Sequence, residues 1–96
     1  MTATIFVDGK KLFLNPFMAT LTGNIIDAAA QSLKAPQGLQ IRFVMNGAQV
    51  NLFVDGSEVS LDLGHAQQIV GNLLSGLLRS LKGTETAKQF EFICEK

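Results

Sequence analysis

Ninety-six residues, 47% of them hydrophobic and 17% charged, suffice for one domain with its own core, and that composition excludes a disordered chain. Eight basic residues balance eight acidic ones, so no net field draws the chain to phosphate backbones or anionic lipid, and no nucleic-acid partner is expected. The single cysteine, Cys94, points to a reducing, cytoplasmic setting, while the first residues lack signal-peptide character and no apolar run reaches the roughly 20 residues of a membrane span.

The chain opens with two apolar-rich runs around Asp8-Gly9, the residue pair of a two-residue type I′ turn, so strands near 3–7 and 10–14 form a hairpin. Asn15-Pro16 then sets an N-cap residue before proline at the first helical position. A stripe through Met18, Leu21, Thr22, Ile25, Ile26, Ala29, Ala30 and Leu33 carries a helix toward Ala35-Pro36. A strand over 39–45 follows, and Asn46-Gly47 marks another tight turn. From there the order starts again. Strands near 49–54 and 57–61 flank Asp55-Gly56, and Asp62 is the cap of a second helix. Its apolar stripe runs from Ala66 through Ile69, Val70, Leu73, Leu74, Leu77 and Leu78 to Leu81, and Lys82-Gly83 ends it. A last strand covers 88–94.

The recurrence extends to residue identities. Ile5-Phe6-Val7-Asp8-Gly9 matches Leu52-Phe53-Val54-Asp55-Gly56 at an offset of 47 residues, and Gly23-Asn24-Ile25-Ile26 matches Gly71-Asn72-Leu73-Leu74 at 48. Ile41-Arg42-Phe43 aligns with Phe90-Glu91-Phe92 at 49. The offset changes only near junctions between elements, where insertions are tolerated. The expectation is a single domain over 1–96 of the α+β class, a tandem duplication of a ββαβ unit (3–46 and 49–96). Its mainly antiparallel six-stranded sheet carries both helices on one face.

Strand alternation sorts the side chains. One face collects Ile5, Val7, Leu12, Leu14, Leu39, Ile41, Phe43, Met45, Val50, Leu52, Val54, Val59, Leu61, Phe90, Phe92 and Cys94, and is the face for helices to cover. The opposite face is polar, yet it holds Phe6, Phe13, Val44, Phe53 and Ile93, an apolar set suited to an interaction surface. Gly23-Asn24 and Gly71-Asn72, at matching mid-helix positions, point to a close helix–helix contact, because a glycine there costs about 1 kcal/mol against alanine.

Catalytic chemistry finds little support. His65 and Cys94 would make a base–nucleophile pair only if they met, and Cys94 falls on the core face. Asp8, Asp55 and Asp62 have turn or cap duties, no multi-ligand pattern suggests a metal, and no glycine-rich phosphate loop suggests a cofactor. The expected role is therefore a non-enzymatic binding or assembly module, its phenylalanine-bearing face pairing with a second copy or a protein partner. The alternative is a small apolar-ligand-binding protein, with a site on the sheet or between the two repeats.

The segments Val7-Asp8-Gly9, Leu14-Asn15-Pro16-Phe17 and Ser32-Leu33-Lys34 resemble a pattern in short, uncharacterised prokaryotic proteins with roughly one such unit. The second half departs from it at Asp62-Leu63-Gly64. The resemblance carries no function. It implies that single-unit chains pair as dimers, which this chain would imitate internally.

Overall fold

A computed structural model describes residues 2–47, 49–60, 65–81 and 87–96. Eight elements follow in the order β1 (Thr2–Val7), β2 (Lys10–Leu12), α1 (Pro16–Ser32), β3 (Gln40–Asn46), β4 (Gln49–Val54), β5 (Ser57–Val59), α2 (His65–Arg79) and β6 (Gln89–Glu95). This is the expected α+β class. The strands form one antiparallel sheet in the order β2-β1-β6-β3-β4-β5, with both helices packed on its apolar face. Among the described residues, no helix is long and apolar enough to cross a membrane.

The two Asp-Gly turns form as their residues require. Asp8 and Gly9 have φ of 49° and 83°, Asp55 and Gly56 have φ of 50° and 84°, and both turns join strands paired on either side. Each aspartate also reaches across the sheet. Asp8 Oδ1 accepts from the backbone N–H of Lys88 (3.1 Å) and Gln89 (2.9 Å), while Asp55 Oδ1 accepts from Leu39 (3.0 Å) and Gln40 (2.9 Å). The turn of one half thus pins the start of a central strand in the other. Gly38 lies against this second clasp, where a Cβ would come within 2.5 Å of both Asp55 Oδ2 and Val54 Cγ1, so a side chain there would force the clasp to shift.

The third tight turn is shifted by one residue from its expected place. Asn46 is the last residue of β3 and pairs with Gln49, leaving Gly47, at φ +62°, rather than Asn46 inside the connection. β2 and β5 are also shorter than expected, ending at Leu12 and Val59.

α1 starts where Asn15-Pro16 places it, with Asn15 Oδ1 accepting from Met18 N–H at 2.8 Å. It ends in a Schellman motif: Lys34 N–H donates to Gln31 O and Ala35 N–H to Ala30 O. Lys34 takes the left-handed conformation (φ 58°) at the position where glycine is usual. The expected cap Asp62 and stop Lys82-Gly83 of the second helix lie outside the described residues.

The core is organised around one row across all six strands, Leu12–Ile5–Phe92–Phe43–Leu52–Val59. Phe43 and Phe92 face each other at its centre, fully buried, flanked by the equally buried Ile5 and Leu52. Burial of each such side chain contributes about 1.5–3 kcal/mol. α1 packs on β1, β6 and β3, and α2 mainly on β4. Of the expected core face, Leu39 is corrected: it lies one residue before β3, at the end of the sheet, and is 74% exposed, with its N–H held by Asp55. Leu61 lies outside the described residues.

Candidate functional site

The sheet face away from the helices is built from two rows of alternate residues. One runs Lys11–Phe6–Glu91–Val44–Asn51, the other Thr4–Ile93–Arg42–Phe53–Glu58. Phe6, Ile93, Val44 and Phe53 therefore zigzag across the four inner strands, and each is half-buried. Neighbouring long side chains provide the cover. The Arg42 guanidinium lies 4.6 Å from the centre of the Phe53 ring and 3.7 Å from the Glu91 carboxylate, and Asn51 Nδ2 donates to Glu58 Oε2 at 2.8 Å. A cation over an exposed ring contributes about 0.5–1 kcal/mol, and a surface ion pair at most about as much. Arg42 thus lies over the face of the Phe53 ring, while among the described residues no helix or further strand packs on the outward surface of the sheet.

Phe13 stands apart from this band. It lies one residue beyond β2, where the chain leaves the sheet for the Asn15 cap, and is 84% exposed. Phe17, in the first turn of α1, is 71% exposed. Sequence alternation did not single it out, because its exposure follows from where α1 begins on the sheet.

The paired glycines do not form a helix–helix seam. Gly23 is buried with its carbonyl 3.8 Å from Cys94 Sγ of β6, and a Cβ on Gly71 would meet Val50 Cγ2 of β4 at 3.5 Å. Both approach the sheet, while Asn24 and Asn72 are exposed. Side by side, α1 and α2 leave a groove of about 390 Å³ between them, lined by Ile25, Ala29 and Leu33 on one wall and by Ile69 and Leu73 on the other.

His65 is exposed at the start of α2, whereas Cys94 is fully buried beneath α1. Burial pushes the Cys94 thiol above its ordinary pKa, and the nearby Asp27 carboxylate adds to the effect. That is the opposite of the activation a nucleophilic cysteine needs. Asp27 itself is held by Lys96 Nζ at 3.0 Å and by Gln31 Nε2 at 2.8 Å. Among the described residues, no group of three His, Cys, Asp or Glu side chains is placed to hold a metal ion. No family model, curated protein or solved structure matches the chain.

Proposed function

We propose that the chain is a non-enzymatic assembly module whose open sheet face pairs with a second copy. The observation that supports this most directly is the Phe6–Ile93–Val44–Phe53 band on a sheet face that, among the described residues, no helix covers. The two longer extents of the molecule, 31 and 27 Å, correspond to a face on the order of 800 Å², comparable to what a standard interface buries on each partner. Charge favours a copy of the chain itself. Lys11 sits toward the β2 edge and Glu58 toward the β5 edge, so a two-fold axis along the strands lays the basic edge of one copy over the acidic edge of the other.

Edge-to-edge pairing is the poorer route. β2 and β5 are three residues each and carry Lys10, Lys11 and Glu58, features that blunt strand addition.

Light scattering over a wide concentration range tests the proposal, with a dimer as the expected result. Phe53→Glu and Val44→Lys should each convert it to a monomer with unchanged far-ultraviolet circular dichroism. A wild-type monomer at every concentration, or dimers unaffected by both substitutions, would overturn the reading.

A further inference from the structure

We infer that Arg42 and Glu91, on the two central strands, set the orientation in which two copies meet and so restrict the partner to this chain. This role rests on the proposed pairing of open faces. Across the two rows of that face, the charged side chains among the described residues alternate in sign from edge to edge: Lys11 on β2, Glu91 on β6, Arg42 on β3 and Glu58 on β5. The matching positions of the recurring segments keep the apolar residues, Phe6 with Phe53 and Val44 with Ile93. They reverse the charges, Lys11 with Glu58 and Arg42 with Glu91. A face of one sign would accept any oppositely charged surface, whereas an alternating face is complementary to its own copy turned about the strands.

Two face-to-face arrangements keep the strands of both copies aligned. A two-fold axis along the strands lays β2 over β5 and β6 over β3 of the second copy, so each of the four charges meets its opposite. An axis across the strands lays every strand over itself, Arg42 toward Arg42 and Glu91 toward Glu91. With the axis through the centre of the face, the offset along the strands is that between the two rows, about 7 Å, in both arrangements, so the sign of the charges decides. Arg42 and Glu91 can take a further partner. Their own contact, at 3.7 Å, is longer than a hydrogen bond, and their side chains are 34% and 31% exposed. Around the axis two such pairs form a ring of alternating charges, each guanidinium held over its own Phe53. Glu95, one row further, faces a glutamine in either arrangement, Gln40 or Gln89, and does not discriminate.

The test mixes isotopically labelled wild-type chain with the charge-exchanged chain Arg42→Glu/Glu91→Arg at low salt and counts the dimers by native mass spectrometry. In the exchanged chain the introduced arginine stands opposite Phe6 as Arg42 stands opposite Phe53, so a ring remains for it to cover. This chain should dimerise with itself, while mixed dimers fall at least about threefold below their statistical share, because attraction becomes repulsion at the axis. Lys11→Glu/Glu58→Lys, at the exposed edges, should behave in the same way. Salt at about 1 M should return mixing toward the statistical share. Statistical mixing of both variants at low salt, an excess of mixed dimers, or an exchanged chain that stays monomeric would overturn the orienting role. Depletion with the edge exchange alone would move that role from Arg42 and Glu91 to the edges. In each of these cases a wild-type dimer that Phe53→Glu dissociates leaves the pairing of faces standing; a wild-type monomer at every concentration overturns both.

Discussion

Inside the core, Thr22 Oγ1 is fully enclosed and has no hydrogen-bond partner among the described residues. An unpaired buried hydroxyl costs about 1–3 kcal/mol, and the matching position of α2 holds Val70, which packs there without such a group. Thr22→Val should therefore stabilise the protein by about 1 kcal/mol, read as a higher urea midpoint with an unchanged slope; a lower midpoint would show that the hydroxyl is satisfied. Other residues were legible to different depths. Asp8 and Asp55 were recognisable as turn residues because Asp-Gly is a local signal. Their second role, clasping N–H groups 80 and 15 residues away, depends on strand order and leaves no local trace. Gly38 was silent for the same reason, since its constraint comes from the Asp55 carboxylate and the Val54 side chain.

The helices show how propensity and packing divide the work. Gly76 has no neighbour within 4 Å of where a Cβ would stand, and at Gly71 the nearest atom would be at ordinary contact distance. Neither glycine is required by its surroundings. Gly71→Ala and Gly76→Ala should each stabilise by up to about 1 kcal/mol through helix propensity, measurable as raised thermal midpoints. Destabilisation by Gly71→Ala would mean that Val50 cannot accommodate even a methyl group. Helix and strand existence followed from periodicity, and the start of α1 from the Asn15-Pro16 pair. Ala35-Pro36 placed its end to within a turn, but not the left-handed Lys34 that closes it, a position that sequence assigns to glycine. β2 was overextended because alternation continues through Phe13 after the backbone has left the sheet.

At the scale of the molecule, each long ladder joins a strand from the first half to one from the second: β1 to β6, β6 to β3 and β3 to β4. The registers correspond across the halves. Ile5↔Leu12 maps to Leu52↔Val59, Ile5↔Phe92 maps to Phe43↔Leu52, and Phe43↔Phe92 maps onto itself. This interleaving predicts that neither half opens alone: hydrogen exchange in β1 and β4 should report the same opening free energy, matching the global unfolding value. A markedly less protected second half would show two separable units. Strand order was not legible, because a ββαβ repeat can place its last strand beside its own first or beside its partner's, with identical local pattern.

The position of β6 bears on how the chain is made. β6, which leaves the ribosome after the other five described strands, is not an edge but the neighbour of both β1 and β3. Until residues 89–95 leave the ribosome, β1 and β3 each lack the partner that completes their pairing, and about ninety residues of nascent chain wait with open edges. A chain cut short before residue 89 would therefore lose the strand at the centre of its sheet and leave β1 and β3 without their shared neighbour.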